Sequence, residues 1–557
     1  MKMMKRLTNK VKGIIMVAVL AVVGLTSSAY VDSYFEITKN LDIFYSLFKE
    51  LNLYYVDETE PGDLMKKGIE GMLTSLDPYT NYIPESAIED YRFMTTGQYG
   101  GVGALIRKKG DRIVIAEPYK GSPTLKAGLL AGDVILEIDG KSTEGKSTSD
   151  VSKVLKGQPG TPVKLLVKRH GQEKTIEKEV EREEIQIESV PFKGMLDEQI
   201  GYINLSSFTR NCSGDVKEAF TGLKKEGMTK LIFDLRGNPG GLLNEAVKIC
   251  NLFVDKGELI VSTKGKVSEW SKNYIAQVDP IDGEIPIVVL VNRGSASASE
   301  IVSGTLQDLD RGVVLGEKTF GKGLVQTTRP LSYNSQLKVT TAKYYIPSGR
   351  CIQALDYSNR NEDGSVGHIA DSLKSEFKTK AGRIVFDGGG VDPDVESETQ
   401  ILGDVSIALM QKMLVFDFAT EYFFSKDSVK DPSTFQVTDE LYTEFKTFLA
   451  DKELDYTTNS EILMEELKRT AEEEKAYEAI EAEYTALETK VLHNKTEDLE
   501  TYKPEIKEML RSEIVSRYHF QEGRIAAMLQ DDPAVIQAKG LLNDLPTYEA
   551  IFTVSED

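Results

Sequence analysis

Residues 285–326 read Ile285-Pro-Ile-Val-Val-Leu-Val-Asn-Arg-Gly-Ser-Ala-Ser-Ala-Ser-Glu-Ile301 and, after a helical interval, Gly316-Glu-Lys-Thr-Phe-Gly-Lys-Gly-Leu-Val-Gln326. Ile287–Val291 is a short, uninterrupted, mostly β-branched run, the pattern of a strand buried on both faces. Asn292-Arg-Gly294 closes it as a turn. Ile301, Val302, Leu306 and Leu309 then recur at helical spacing, so a serine-rich corner lies between a strand end and a helix start. Open α/β sheets place ligands at such corners, and a helix start offers unpaired N–H groups to a developing negative charge.

The plain reading of Ser297-Ala-Ser-Glu300 is a capping box, in which Ser297 merely satisfies the first helical amides. The second half of the stretch weighs against it. Lys322 stands between two glycines at the entrance to an apolar segment, with Gln326 four residues on. In a strand those two positions share a face. A lysine in a dry site loses part of its preference for the charged form and can serve as a base. A serine needs such a base to become a nucleophile.

These residues resemble the C-terminal processing peptidases, or tail-specific proteases, which work through a Ser–Lys dyad. The resemblance runs from about Leu64 to Asp394 and includes several separate motifs. It implies that Ser297, the middle serine of Gly-Ser-Ala-Ser-Ala-Ser-Glu, is the nucleophile. The lysine of Phe-Gly-Lys-Gly, Lys322, is then the base, and Gln326 steadies it. It further implies an oxyanion hole made by backbone N–H groups of the Pro-Gly-Gly segment, at Gly240 and Gly241, together with that of Ala298. On the residues alone, Gly240 and Gly241 are a tight turn after the buried strand Lys230–Leu235. The expected fold is multidomain α/β: a crotonase/Clp-like α/β catalytic domain with an inserted PDZ domain and helical N- and C-terminal regions.

Five segments are expected. Residues 1–29 carry a basic start (Lys2, Lys5, Arg6, Lys10, Lys12), an apolar stretch Gly13–Leu25 and small residues Ser27-Ser-Ala29, the order of an export signal. The stretch is shorter than the ~20 residues of a spanning helix. Cleavage after Ala29 is expected, with retention as a membrane anchor the alternative; either makes the protein exported, in the periplasm. Residues 30–93 read as helices with a core face. Residues 94–184 follow the order of a circularly permuted PDZ domain. A glycine-rich loop, Gly101, Val102 and Gly103, is expected to hold a chain-terminal carboxylate. Ala104 and Leu105 then lie on the edge that pairs with a peptide by strand addition. Residues 185–400 form the peptidase domain, and 401–557 an acidic helical extension. In that extension, helices are expected over Val405–Phe424, Thr438–Lys452, Ser460–His493, Leu499–Gln530 and Ala534–Leu542. Leu463, Leu467, Met509 and Ile514 are its expected inner positions.

Composition excludes some classes. The net charge is −21, which argues against a nucleic-acid partner. Residues 401–557 hold 16 Lys+Arg against 34 Asp+Glu, so the acidity belongs to the extension and the rest is nearly neutral. Its plain reading is a set of solvated helix faces. Three cysteines are too few for a disulfide framework and lack metal-like neighbours, so neither metal nor cofactor is expected. Gly316-x-x-x-x-Gly321-Lys322 imitates a nucleotide P-loop, but Gly323 stands where Ser or Thr should hold magnesium. None of the four histidines lies in the core motifs, which disfavours a Ser–His–Asp triad. Lys318 is a weaker alternative base, and Asp234 with Arg236 reads as an internal ion pair.

The expected partners are therefore protein or peptide substrates with free, nonpolar C-termini. A membrane tether by the N-terminal segment, a homodimer, and adaptor binding through the helical termini are further expectations. The expected reaction is serine endopeptidase cleavage through an acyl-enzyme. Two other classes compete: a catalytically inactive PDZ peptide-binding scaffold, and a crotonase-type thioester enzyme. The intact Ser297, Lys322 and Gln326 set counts against the first, and the PDZ unit and export signal against the second.

Overall fold

The computed structural model describes residues 35–361, 364–398, 401–426, 428–491 and 495–553, so the expected export signal lies outside the described residues. The chain divides into a small unit, residues 1–82 with 337–339, and a large one holding the rest. The small unit contains a helix across 35–54 and a second, Pro61–Thr74. Phe35, Leu41, Tyr45, Leu47 and Leu53 of the first are exposed.

The large unit is built on a six-stranded sheet. Its spatial order is Phe192–Met195, Ile200–Asn204, Lys230–Asp234, Ile287–Val291, Val313–Gly316 and Val395–Glu396. The first pair is antiparallel and every later pair parallel. Ile287–Val291 is buried at all five positions, as its unbroken apolar run requires when both faces are covered. Helices Cys212–Lys225, Leu243–Cys250 and Ala298–Asp308 cover one face, packing Val216, Phe220, Ile249, Ile301 and Leu306 against Phe233, Val289 and Val291.

The other face is covered by the end of the chain. Leu529, Val535, Ala538, Leu542 and Tyr548 pack on Tyr202, Ile232, Val288, Leu290 and Leu315. The Tyr548 hydroxyl also donates to the Ile287 carbonyl (3.0 Å) and accepts from its N–H (3.0 Å). The segment expected as an outlying appendage therefore completes the core of the sheet that carries the serine corner.

The rest of the extension has its own core, in which Leu409, Phe418, Tyr442, Phe445, Leu510 and Ile514 are buried. Three expected single helices are in fact interrupted. In Leu499–Gln530, Tyr502 separates Lys495–Thr501 from Lys503–Met528, which itself kinks at Phe520, φ 55°. Asp404–Gln411 is separated from Leu414–Ser425 by Met413 at φ 56°, and Asn459–Glu473 from Tyr477–Val491 by Lys475 at φ 59°. The Ala476 N–H donates to the Ala471 carbonyl (2.8 Å), the bond of a Schellman motif built without its usual glycine. Leu463 and Leu467, expected inside, are exposed, whereas Ile514 is buried and Met509 packs against the core.

The unit between them is a sheet ordered Ala104–Lys109, Arg112–Pro118, Val134–Ile138, Pro162–Lys168 and Ile176–Glu181. Its entry and exit strands, Gln98–Gly101 and Glu183–Gln186, pair antiparallel. Val114 and Ala116 pack on Met413 and Phe416 of the extension, and Arg524 pairs with Glu117 (2.6 Å).

If the chain's end belongs to the sheet core, Leu542→Ala should cost about 2–5 kcal/mol. Leu463→Ala, at an exposed position, should stay within about 0.5 kcal/mol of the parent. The urea midpoint for unfolding of the peptidase core measures both, and equal midpoints would refute the packing.

Candidate active site

Three neighbouring parallel strands, Lys230–Asp234, Ile287–Val291 and Val313–Gly316, each release a loop from the same C-terminal edge. The first loop is Arg236-Gly-Asn-Pro-Gly-Gly241, the second contains Ser297, and the third contains Lys322. Residues more than eighty apart in sequence are thereby drawn to one place, the crevice where such sheets hold ligands.

The three serines of the second loop have different fates. Ser295 and Ser299 are fully buried: Ser295 Oγ donates to the Leu235 carbonyl (2.8 Å) and Ser299 Oγ to the Asn238 carbonyl (2.9 Å). Ser297 alone is partly exposed. Its backbone sits at φ 55°, ψ −111°, whereas an ordinary capping serine adopts an extended conformation. A side chain held there costs on the order of 1–3 kcal/mol and persists only where its surroundings over-determine it.

Those surroundings converge on Glu300, which is completely buried. Its Oε2 accepts from the N–H of Ser297 (2.8 Å) and of Lys322 (2.9 Å). Its Oε1 accepts from Gly321 N–H (2.7 Å) and Thr319 Oγ1 (2.6 Å). One carboxylate oxygen thus joins the backbones of Ser297 and Lys322. Burial pushes the Glu300 carboxyl above its ordinary range, and the four donors pull against that shift. The Phe320 N–H donates to the Ser295 carbonyl (3.0 Å) and the Tyr344 hydroxyl to that of Ser297 (3.1 Å).

The Pro-Gly-Gly loop lies directly against this corner. The Ala296 N–H donates to the Asn238 carbonyl (3.0 Å), and a Cβ at Gly240 would stand 2.5 Å from the Ala296 oxygen, 2.8 Å from Ala298 N and 2.9 Å from Ser297 Cβ. Gly240 is also at φ 94°, so no side chain fits. Its own N–H is committed to Asn238 Oδ1 (2.9 Å), which corrects the expectation that it points at a developing charge. The N–H groups of Gly241 and Ala298 are the other two expected donors.

Lys322 stands just before the strand Leu324–Pro330, with Gly323 between, and a strand rather than a helix argues against a P-loop. Gly321 is at φ 86° against Ala354, and a Cβ at Gly323 would meet Gln353 N at 2.8 Å, so both flanking glycines are sterically required. Gln326 Nε2 donates to Thr340 Oγ1 on the paired strand Gln336–Tyr345 (3.2 Å). Lys318 lies outside the corner, paired with Asp392 (2.8 Å). Asp234 and Arg236 form the expected ion pair (2.6 Å), with Asp532 as a second partner. His170 stacks on Phe424 and His519 bonds the Val429 carbonyl, so neither serves Ser297. Burial pushes the Cys250 thiol up to about 12, an inert state.

Gly101 ends the strand Gln98–Gly101, Val102 and Gly103 follow it, and Ala104 and Leu105 open the first strand of the separate six-stranded sheet. Ala104–Lys109 is the edge strand of that sheet among the described residues, paired with Arg112–Pro118. Leu105 is exposed, and Val102 is buried with its carbonyl taken by Thr124 (2.9 Å from N, 2.7 Å from Oγ1). Glu300, Asn238, Tyr344 and Asp532 were not singled out as site residues from the sequence; only the capping-box spacing hinted at the first.

The chain is similar to known proteins over three stretches. Residues 199–357 match the model of peptidase family S41, residues 114–169 a PDZ domain, and residues 405–542 the C-terminal helical domain of probable PDZ-proteases. The carboxy-terminal-processing protease of Bartonella bacilliformis is 38% identical over 321 residues, 57% of this chain and 73% of that one. A probable CtpA-like serine protease of Staphylococcus aureus is 39% identical over 318 residues, 56% of this chain and 62% of that one. Among solved structures, the photosystem II D1 C-terminal processing protease is 31% identical with a TM-score of 0.35, covering 64% of this chain and 88% of that one.

Glu300→Gln tests the carboxylate's role in positioning Ser297 and Lys322. Either amide orientation sets an N–H against a backbone N–H, so turnover should fall about a hundredfold while the protein stays folded. Peptide cleavage and circular dichroism together decide it, and wild-type turnover would remove Glu300 from the site.

Proposed function

Because the chain belongs to the S41 family of carboxy-terminal-processing proteases and is a serine-type peptidase, we propose that it recognises nonpolar C-terminal tails through its PDZ domain and cleaves the upstream chain with a Ser297–Lys322 dyad. The observation that carries this reading is the single Glu300 oxygen bonded to the backbones of both residues.

In the proposed cycle the loop Gly101–Gly103 holds the free carboxylate of the tail, and Ala104 and Leu105 pair with it as an added strand. Supporting this, no hydrogen bond among the described residues engages the Val102 or Gly103 N–H groups. Lys322, in its uncharged form and steadied by Gln326, takes the proton from Ser297 Oγ. The oxygen attacks the scissile carbonyl, and the oxyanion meets the N–H groups of Gly241 and Ala298. Collapse expels the amine with the proton from Lys322, and water, deprotonated in turn, releases the acyl group. The Ala298 donor lies at the start of an eleven-residue helix whose dipole has the right sign.

We also infer export through residues 1–29, with cleavage after Ala29 or retention as an anchor. Among the described residues no helix is long and apolar enough to cross a membrane. The exposed apolar side chains of 35–54 support self-association. A single-chain mass by light scattering would sink that part.

Ser297→Ala and Lys322→Ala should each abolish cleavage of a nonpolar-tailed peptide, read by mass spectrometry, while tail binding persists. Wild-type turnover in Lys322→Ala would send the base elsewhere. Amidating the tail should weaken capture, and equal affinity of the two peptides would remove the carboxylate loop from recognition.

A further inference from the structure

Arg236 begins the loop that ends at Gly240 and Gly241, and it is held from two sides. Asp234, at the end of its strand, accepts from the Arg236 backbone N–H (2.8 Å), Nε (3.0 and 3.1 Å) and Nη2 (2.6 Å), and its Oδ2 also accepts from the Tyr202 hydroxyl (2.6 Å). Asp532 of the C-terminal extension meets Nη1 from the opposite side, at 3.0 Å to Oδ1 and 2.8 Å to Oδ2. Both carboxylates and the guanidinium are largely shielded from solvent, which strengthens charged hydrogen bonds of this kind. Asp532 is itself fixed, because it caps the helix Pro533–Asn543 that packs on the catalytic sheet. Its Oδ1 accepts from Ala534 N–H (3.0 Å) and Val535 N–H (3.1 Å).

We propose that Asp532 is a positioning residue for the loop Arg236–Gly241, so that the C-terminal extension completes the oxyanion side of the active site. The inference rests on the reading of that loop as an oxyanion donor. Asp234 holds the Nε and Nη2 edge of the guanidinium, and Asp532 holds the remaining nitrogen, Nη1, so the side chain at the start of the loop is tied to the sheet and to the extension at once. From there the loop is carried to the serine corner by the Gly237 N–H on Asn292 Oδ1 (2.9 Å) and by Asn238. The extension thereby acts on the site through the Arg236 guanidinium.

The competing explanation is that Asp532 only caps its helix. Asparagine caps as well as aspartate but carries no charge, so Asp532→Asn separates the two roles. In the full-length protein, three quantities are compared: kcat and KM on a nonpolar-tailed peptide, affinity for a peptide aldehyde, and the unfolding midpoint. The aldehyde adds Ser297 Oγ to its carbonyl carbon and places the resulting oxygen in the oxyanion hole. A positioning role predicts that kcat and aldehyde affinity fall together by about tenfold, with KM and the midpoint unchanged. Asp532→Glu should recover part of both. A variant indistinguishable from wild type in kcat and aldehyde affinity overturns the inference, as does a loss of kcat matched by a lowered midpoint. An inactive wild type, or activity surviving Ser297→Ala, would sink the dyad itself and is read from the same assay.

Discussion

A carboxylate with no access to water would ordinarily be a liability, since stripping its hydration costs several kcal/mol. Glu300 tolerates this because four donors replace its water: the N–H groups of Ser297, Gly321 and Lys322, and the Thr319 hydroxyl. Hydrogen bonds to a charged acceptor are each worth about 1.5–3 kcal/mol. The set works only if all the donors arrive together, and they come from two loops on neighbouring strands. Folding of the serine corner and folding of the lysine loop are therefore one event. The Phe320 bond to Ser295 and the Tyr344 bond to Ser297 add to the same seam without bearing its charge.

The strain at Ser297 follows from that seam. Its N–H is held by Glu300, and its carbonyl accepts from both Tyr344 and Ile301. With both backbone ends fixed, Ser297 is held at φ 55° at the helix start. The neighbouring serines show the alternative, since Ser295 and Ser299 are turned inward and spent on loop carbonyls. Three chemically identical side chains within five residues are thus sorted by backbone geometry alone.

How much of this was legible in the sequence depends on whether the signal was local. Ile287–Val291 announced a buried strand because five apolar residues in a row leave little else. The glycines around Lys322 announced a crowded turn, and both meet backbone or Cβ atoms at distances that exclude a side chain. Glu300 was visible only as a capping partner, because three of its four donors belong to residues 319–322, and spacing does not reveal contacts across strands. Met413 and Lys475 break helices without glycine or proline, so the apolar periodicity ran straight through them. The family resemblance supplied the roles of Ser297, Lys322 and Gln326, and it ended near Asp394.

Beyond that point amphipathicity identified helices but not what they cover, and there the structure departs most from expectation. A parallel sheet must be buried on both faces, because its strands are apolar throughout. Helices between the strands cover one face of this sheet, and among the described residues between Ile185 and Glu398 none forms a helix packed on the other. Tyr202, Ile232, Val288, Leu290 and Leu315 therefore demanded a cover from elsewhere, and the chain's last helices provide it. The demand could have been read from Ile287–Val291 alone: five consecutive buried side chains need two layers, and the expected domain contained one. An acidic segment that looks like an appendage by charge is, by the geometry of the sheet it closes, part of the enzyme's core.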